Sequence, residues 1–306
     1  MNRPLFNFGM RILHVVPGLD EVGNGISVAA RLIANEQGAD LVEARRFASG
    51  KCDASQYDEV WVHSAWSPMV LRSCRRVLKL GKRLVRMAHA NYDPVRLRYH
   101  GWKKRIVAPV DRYYLRKAVK VIATCEAEKG WIESYLSRRC PPIEVTDLKR
   151  FFDLPSVPHS PFPVPRPLHL LYLGRRHPLK GVEYLETAVR QLQESSAYSA
   201  SLRLCVKIIS SAFGEELEKV WDWCDVLVLP TLSENFGLVI AEALERGKRV
   251  ITTDGAPAWN HEIHETHEKG LWSGYGGRLI YLKGYRDGTS DERISLLKTA
   301  IENIAK

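Results

Sequence analysis

The sequence predicts an α/β protein with two doubly wound parallel sheets, and three observations lead to that prediction. The chain has 306 residues, roughly twice the commonest size of a single domain. Short apolar runs rich in β-branched residues alternate with segments of helical period, which is typical of a parallel sheet covered by helices on both faces. Six prolines in residues 154–167 interrupt the alternation, because proline continues neither a helix nor a central strand. We therefore expect two Rossmann-like domains joined by a linker.

The first predicted domain comprises residues 1–155, and its N-terminal part shows the alternation most clearly. Strands are expected where short β-branched runs occur, and helices where apolar residues recur every three or four positions. The predicted strands are residues 11–17, 39–44, 59–63 and 83–88, and the predicted helices are residues 26–36 and 69–80.

The second predicted domain comprises residues 168–288, after a linker at residues 156–167. Its predicted strands are residues 168–173, 202–209, 226–230 and 249–253, and its predicted helices are residues 181–194, 215–224 and 237–246. Residues 289–306 have apolar positions at helical spacing behind Ser290, a candidate N-cap. We expect them to pack as a terminal amphipathic helix.

The basic residues are concentrated in one segment of the first domain. The whole chain has a formal charge of +10, whereas residues 71–120 hold sixteen basic and two acidic residues and sum to +14. Such a segment attracts a polyanion, which is either nucleic acid or the anionic inner face of a membrane. A solvated basic face without a partner is the remaining alternative.

The composition excludes several other classes of protein. With 45% hydrophobic and 26% charged residues, the chain is typical of a globular protein and not of a disordered one. No apolar run is long enough to span a bilayer, and polar residues interrupt the N-terminus where a secretory signal needs an apolar core. The six cysteines form no Cys-x-x-Cys pair, so free thiols are expected. We expect a cytoplasmic protein.

Two loops of the second domain contain candidate site residues, because ligands bind beyond the carboxyl ends of strands in open α/β sheets. Residues 231–237 lie between a predicted strand and a predicted helix, whose N-terminus suits a phosphate. Glu234 and Glu242 add acceptors for ligand hydroxyls. In residues 174–181, Arg175 and Lys180 could neutralise a diphosphate without a metal ion. The alternatives are that Glu234 caps the helix, that Glu242 is a solvated helix residue, and that Arg175 and Lys180 are basic side chains on an exposed turn.

The first domain offers weaker candidates. His89 follows a predicted strand, where a histidine can hydrogen-bond a sugar hydroxyl or transfer a proton, although a structural histidine is the commoner case. Gly23 and Gly25 let the backbone approach a ligand before the helix that begins near residue 26. The histidines of residues 261–267 do not have the spacing of a zinc motif, and a surface helix accounts for them better.

Four motifs of the second domain together resemble the retaining nucleotide-sugar glycosyltransferases of group 1, family 4, which have the GT-B fold. The motifs are Gly-Arg-x4-Lys-Gly at residues 174–181, Cys-Asp-Val-Leu-Val-Leu-Pro at 224–230, Ser-Glu-x-Phe-Gly-x4-Glu-Ala at 233–243 and Thr-Thr-Asp-Gly at 252–255. The resemblance is close over residues 168–255 and diffuse over the N-terminal half. It implies two domains with a cleft between them.

The resemblance implies a role for each candidate residue. Glu234 would contact the hydroxyls of the donor sugar, and Glu242 would bind the ribose of the nucleotide. Arg175 and Lys180 would stabilise the diphosphate leaving group, whose growing negative charge needs fixed positive charge. The backbone of Asn235, Phe236, Gly237 and Leu238 would hold sugar and phosphate, His89 would touch the sugar, and Gly23 and Gly25 would approach the phosphates or the acceptor.

The implied function is transfer of a sugar from a nucleotide-diphosphate donor to a glycan or lipid-linked acceptor in cell-surface polysaccharide or lipopolysaccharide synthesis. No metal and no other cofactor is expected, since the chain contains no Asp-x-Asp pair and basic residues with a helix dipole can replace the ion. An anionic membrane surface is the expected partner of the basic segment, and nucleic acid is not expected. Residues 202–225 are shorter than is usual in the family, and the N-terminal loop has Gly-Asn-Gly in place of adjacent glycines. The competing functions are another sugar-nucleotide enzyme, such as an epimerase, and a nucleic-acid-binding protein.

Overall fold

The computed structural model describes residues 9–19, 25–155, 167–195, 204–266, 271–275 and 278–305. The chain divides into two units after Leu148. Residues 149–153 therefore belong with unit 2, although the proline pattern placed the domain boundary after residue 155. Phe152 stacks on Phe236 at 6.0 Å and the Asp153 N–H donates to Glu245 at 3.1 Å, so these residues contact unit 2 before the proline-rich stretch begins.

Unit 1 is an α/β unit built on one parallel sheet. Its described elements are β1 (Ile12–Val16), α1 (Gly25–Gln37), β2 (Asp40–Glu43), α2 (Ala44–Ala48), β3 (Glu59–His63), α3 (Pro68–Lys79), β4 (Arg83–Met87), α4 (Pro94–Arg98), α5 (Gly101–Lys117), β5 (Lys120–Ala123), α6 (Glu126–Leu136) and β6 (Ile143–Val145). The strand order is β2-β1-β3-β4-β5-β6, and every neighbouring pair is parallel. All five residues of β3 are buried, as expected for a central strand covered on both faces.

The helices of unit 1 bury apolar stripes against this sheet. Helix α3 begins with Pro68 at its first turn and buries Val70, Cys74 and Val77, which lie on one face at helical spacing. Helix α5 buries Ala108, Asp111 and Leu115. Among the described residues, no helix combines the length and the apolar character needed to span a bilayer.

Unit 2 has a second sheet with helices packed around it. Its described elements are β7 (Leu168–Leu173), α7 (Val182–Glu194), β8 (Leu204–Ile209), α8 (Gly214–Trp223), β9 (Val226–Val228), α9 (Leu238–Glu245), β10 (Arg249–Thr253), β11 (Ile263–Thr266), β12 (Leu271–Gly274), β13 (Leu279–Leu282) and α10 (Ser290–Ala305). The strand order is β11-β12-β13-β10-β9-β7-β8. Strands β7, β8, β9, β10 and β13 are parallel, and α10 buries Leu297, Ala300 and Ile301.

The two α/β units predicted from the sequence are confirmed, and the structure corrects one region of unit 2. The histidine-rich residues 261–267 were expected to form a surface helix. They instead end a 3-10 helix at Glu262 and continue into β11, while His267 lies outside the described residues. Because β11 and β12 add to the sheet in antiparallel orientation, the backbone of this segment is paired as an edge strand.

Candidate active site

Two loops that carry the sequence motifs lie side by side in unit 2. Residues 174–181 follow β7 and residues 229–237 follow β9, and these two strands are neighbours in the sheet. The carbonyl of Leu179 accepts hydrogen bonds from the Leu232 N–H at 2.9 Å and from the Thr231 hydroxyl at 3.1 Å. The loops are therefore tied together at the carboxyl edge, where parallel α/β sheets bind ligands.

Two glycines allow this close approach of backbone to backbone. A Cβ on Gly181 would lie 2.1 Å from the carbonyl oxygen of Pro230, and Gly181 has a φ of 63°. A Cβ on Gly255, in the loop after β10, would lie 2.1 Å from the carbonyl oxygen of Thr231. No side chain fits either place. The Gly255 carbonyl also accepts the Glu234 N–H at 2.7 Å, which holds Glu234 in position.

Lys180 and Glu234 form an ion pair across the two loops. The Lys180 Nζ donates to Glu234 Oε2, and the two side chains are 18% and 16% exposed. Both charged groups thus lie at the surface of the same small region, 54 residues apart in sequence. A ligand with an anionic part and a hydroxylated part would find one partner for each at this place.

Arg175 belongs to the same loop as Lys180. Its side chain is exposed, and its carbonyl accepts the Tyr172 hydroxyl at 2.9 Å. Burial raises the pKa of Tyr172, and Glu234 raises it further while Arg175 lowers it, so both charges act on the same phenol. The adjacent Arg176 instead pairs with Glu186 of α7 on the exposed surface.

The residues that lead into α9 offer mainly backbone groups, and few side chains, to a ligand. Phe236 is buried, contacts Trp259 with the two rings tilted by 40° and their centroids 5.2 Å apart, and accepts the Trp259 indole N–H through its carbonyl at 2.5 Å. Gly237 has a φ of 73° and precedes Leu238, the first residue of α9. The Asn235 N–H donates to Glu234 Oε1 at 3.1 Å. Such a helix start carries partial positive charge.

Glu242 lies within α9 and is partly buried. Its carboxylate has no hydrogen-bond or ion-pair partner among the residues that the structure describes. Burial raises its pKa, while Arg246 opposes that shift. A partly buried carboxylate that lacks a donor is a site for ligand hydroxyls, since an unpaired buried acceptor costs free energy.

His89 belongs to a row of three buried histidines at the carboxyl side of unit 1. His14 Nδ1 lies 2.9 Å from His63 Nε2, and His63 Nδ1 lies 2.8 Å from His89 Nε2. Gln37 Oε1 lies 2.8 Å from His14 Nε2 at the other end. With Gln37 as acceptor, each neutral imidazole carries its proton on Nε2 and donates along the row. We call these four side chains the histidine row.

Burial keeps the histidine row uncharged. It lowers the pKa of His14 to about 4 and that of His89 to about 3, and it lowers the pKa of His63 well below its ordinary value. His89 and Ala90 both have a φ of 56°. Glu128 holds this strained turn by accepting the Ala90 N–H at 2.5 Å and the Thr124 N–H at 2.8 Å.

The sequence motifs led to His89 but not to its partners. No sequence motif includes His14, Gln37 or Glu128. The only sequence feature that could have pointed to them was the recurrence of polar residues near the ends of predicted strands. Gly25 is the first residue of α1, and Gly23 lies outside the described residues. Of the residues predicted for the site, the structure brings Lys180, Glu234 and Arg175 into one region of unit 2.

Two family models match the chain, one in each half. Residues 19–146 match the model described as Glycosyltransferase Family 4. Residues 167–275 match the model described as Glycosyl transferases group 1. The second match contains both tied loops and α9, and the first contains the whole histidine row apart from His14.

One curated relative and two solved structures illustrate the similarity. An uncharacterized glycosyltransferase of Methanocaldococcus jannaschii is 27% identical over an alignment of 122 residues. The match covers 34% of this chain and 31% of that protein. Sucrose-phosphate synthase of Thermosynechococcus elongatus has a TM-score of 0.65 at 13% identity, with 97% of this chain and 91% of that chain covered. HepE of Anabaena, in complex with UDP, has a TM-score of 0.58 at 14% identity, with 97% and 93% covered. These structural likenesses show a shared fold.

Proposed function

Because the chain belongs to the glycosyltransferases of GT-B fold, with a family 4 region followed by a group 1 region, we propose that it moves a sugar from a nucleoside diphosphate donor to a glycan or lipid-linked acceptor. The anomeric configuration is retained in this proposal. The observation that carries the proposal is the ion pair of Lys180 and Glu234, held at the carboxyl edge by backbone contacts at two glycines.

The proposed chemistry uses this pair and its neighbours in separate roles. As the sugar–phosphate bond breaks, negative charge grows on the diphosphate, and Lys180 with Arg175 stabilises it. The start of α9, from Asn235 to Leu238, adds backbone N–H groups and a positive dipole end without a metal ion. As Lys180 turns to the diphosphate, Glu234 accepts hydroxyls of the donor sugar.

Glu242 and His89 complete the proposed donor contacts. Glu242 accepts the ribose hydroxyls, which would satisfy its partly buried carboxylate. The structure of HepE contains UDP, and we propose a nucleoside diphosphate of this kind here. His89 contributes a neutral hydrogen-bonding group near the sugar, because burial lowers its pKa to about 3. Gly23 and Gly25 are proposed to approach the phosphates or the acceptor.

The acceptor is proposed to come from an anionic membrane surface. On α5, Trp102, Ile106, Val110 and Tyr113 are 64%, 69%, 47% and 52% exposed, and their spacing places them on one face. Exposed basic residues flank that face: Lys103, Arg105, Arg116 and Lys117. We call the four apolar residues the α5 stripe. An exposed apolar stripe between cations suits a helix lying in a lipid headgroup layer, so we place the protein at the inner face of the cell membrane, in cell-surface polysaccharide or lipopolysaccharide synthesis.

Substitution of the ion pair tests the proposal. Lys180→Ala should lower the rate of sugar transfer by about 100-fold or more, the usual loss when a group that stabilises a developing charge is removed. Glu234→Gln should also lower the rate, because a neutral amide accepts the hydroxyls of the donor sugar less strongly than a carboxylate does. Arg176→Ala is the matched control, because Arg176 lies in the same loop but its guanidinium pairs with Glu186 of α7 on the exposed surface. Release of radiolabelled nucleoside diphosphate and incorporation of labelled sugar into acceptor measure the rate.

The same assay separates the competing functions. Labelled sugar that stays soluble while the donor is isomerised would indicate an epimerase. Salt-dependent binding of nucleic acid, together with no effect of Glu234→Gln on any activity, would indicate a nucleic-acid-binding protein.

A further inference from the structure

A cavity of about 570 Å³ lies on unit 1, and none of the four side chains of the histidine row lines it. Helices α4, α5 and α6 surround it, and its aromatic wall consists of Trp66, Trp102 and Tyr135. Its volume is within the roughly 300–1,000 Å³ typical of small-molecule sites. Trp66 is fixed by edge contact with Tyr135 at 5.5 Å and by its indole N–H, which donates to the Asn91 carbonyl at 3.3 Å. Trp66 and Tyr135 are therefore held in place by the fold, whereas the Trp102 side chain is 64% exposed.

The polar part of the cavity lining is cationic. Arg98, Lys104, Arg105 and Arg112 line it, and no carboxylate does among the described residues. Lys104 Nζ donates to the carbonyls of Arg96 and Tyr99, so it has dipole partners but no counter-ion there. Arg112 lies over the Tyr135 ring at 4.5 Å and donates to the Tyr135 carbonyl at 3.0 Å. Arg98 and Arg105 have exposed side chains and no ion-pair partner in the described part of the chain.

The acids of the basic segment are used elsewhere. Residues 71–120 contain only Asp93 and Asp111 as acids, and both are buried. The Asp93 carboxylate accepts the Val95 N–H at 2.8 Å and so caps α4. The Asp111 carboxylate accepts from the Tyr92 hydroxyl at 2.7 Å and pairs with buried Arg86 at 3.4 Å. The cavity charges thus have no partner from their own segment, and an anion can supply one.

We propose that this cavity binds the phosphorylated pyranose of the acceptor. Guanidinium groups pair with phosphate oxygens through two parallel hydrogen bonds, and an aromatic wall packs against the apolar face of a sugar ring. The α5 stripe begins at Trp102, which also lines the cavity. A lipid chain esterified to the phosphate would therefore leave the cavity beside the face proposed to lie on the membrane. This inference rests on the proposed function, since it assigns the acceptor site.

Binding of α-glucose 1-phosphate tests the site without needing the natural acceptor. The full-length protein is saturated with UDP, so that the proposed donor site is occupied, and heat of binding is measured by calorimetry. Wild type should bind glucose 1-phosphate, and the double substitution Arg98→Ala with Arg105→Ala should raise the Kd at least tenfold. Arg45→Ala with Arg46→Ala is the matched control, because both arginines are exposed on α2 of the same unit and line no part of the cavity. It should leave the Kd unchanged.

Three further ligands, measured in the same way, test the proposed contacts. Inorganic phosphate and methyl α-glucoside should each bind at least tenfold more weakly than glucose 1-phosphate, because each has half of the proposed contacts. Equal binding of inorganic phosphate, or an unchanged Kd in the Arg98 and Arg105 variant, would overturn the proposal. The octyl phosphodiester of glucose 1-phosphate should bind more tightly if the source is lipid-linked, and equally if it is a soluble sugar phosphate. Failure of the wild type to bind UDP, ADP or GDP would count against the proposed function, whereas binding of a nucleoside diphosphate without a sugar-phosphate site would count against this inference alone.

Discussion

At the scale of single residues, the candidate site depends on glycine positions where a Cβ would collide with neighbouring backbone. Gly181 and Gly214 have φ values of 63° and 54°, so an alanine is strained at either position. They differ in space, because a Cβ on Gly181 meets the Pro230 carbonyl at 2.1 Å while nothing lies within 4 Å at Gly214. The comparison separates backbone strain from the close contact that ties the two loops together.

Gly181→Ala should therefore destabilise the protein by about 2–5 kcal/mol, through left-handed strain plus displacement of the Pro230 backbone. Gly214→Ala should cost only the strain, roughly 1–2 kcal/mol. Urea unfolding of both variants measures the difference in the free energy of unfolding. Equal losses at the two positions would show that the loops are not held as closely as described.

The histidine row makes stability depend on pH in a definite direction. Its folded pKa values lie below the ordinary 6.5, at about 4 for His14 and about 3 for His89. As pH falls below 6.5, the unfolded chain takes up protons that the folded row does not, so the free energy of unfolding decreases. Each such histidine contributes about 1.4 kcal/mol per pH unit over that window.

Replacing the middle member should reduce this dependence. His63→Gln removes one proton-binding group from the unfolded state, so the slope between pH 6.5 and pH 4.5 should fall by about 1.4 kcal/mol per pH unit. Equilibrium unfolding at several pH values measures it, with the wild type and the variant compared at the same salt concentration. Identical slopes would mean that His63 is charged in the folded state or is already shifted in the unfolded one.

At the scale of elements, α5 has two faces with different surroundings. Its inner face buries Ala108, Asp111 and Leu115, whereas the α5 stripe is exposed between cations. Apolar groups of this size are stabilised by leaving water, at about 25 cal/mol per Å² of area buried. A membrane surface would provide that burial, and its anionic lipids would attract the flanking lysines and arginines.

Trp102→Ser with Ile106→Ser should weaken binding to vesicles of phosphatidylglycerol and phosphatidylcholine by at least tenfold. Phe213→Ser is the control, because Phe213 is 46% exposed but belongs to unit 2. Co-sedimentation at low and high salt measures both the apolar and the electrostatic contributions, since salt screens the latter. Binding of wild type that requires neither anionic lipid nor low salt would contradict the membrane assignment.

At the scale of the whole molecule, the two units have parallel strands whose carboxyl ends carry the candidate residues. Unit 2 supplies the ion pair, the start of α9 and Glu242, while unit 1 supplies the histidine row and the basic cavity. A donor that binds only the folded protein must raise its apparent stability. This expectation holds whatever sugar the donor carries, because the nucleoside diphosphate is common to such donors.

UDP at one hundred times its Kd should stabilise the protein by about 2.7 kcal/mol, visible as a rise of the melting temperature. Glu242→Ala should reduce that rise if Glu242 binds the ribose. The double variant at Arg45 and Arg46 should keep the full rise, since both lie on α2 of unit 1. A larger rise with ADP or GDP would assign a different base, and no rise with any nucleoside diphosphate would contradict the proposed donor.

Much of this architecture could be predicted from the pattern of residues within short segments of the sequence. Strands Glu59–His63, Leu168–Leu173 and Arg249–Thr253 were predicted with their observed limits, because a short, mainly apolar run between polar or turn-forming residues is local information. The spacing of Arg175, Lys180, Glu234 and Glu242 is likewise carried by short motifs on strand-loop-helix units. The family was recognisable from these motifs alone.

Contacts between distant segments were not readable in that way. Strand β11 pairs with β12, and β12 pairs with β13, which the chain reaches only after residue 278. Taken alone, residues 261–267 therefore resemble a polar surface helix. His14 and His63 are 49 residues apart and meet because β1 lies beside β3 in the sheet. The cavity of unit 1 similarly gathers Trp66, Tyr135 and the arginines of α4 and α5 from separate elements.

The amino-acid order therefore settled the class of fold, the two-unit organisation and the motif residues of unit 2, because periodicity and turn chemistry act between near neighbours. Strand order, the uncharged histidine row and the placement of unpaired cations around an aromatic wall were settled only when the chain folded. Each of these depends on which groups lose water and which partners replace it, and that exchange is decided by residues far apart in sequence.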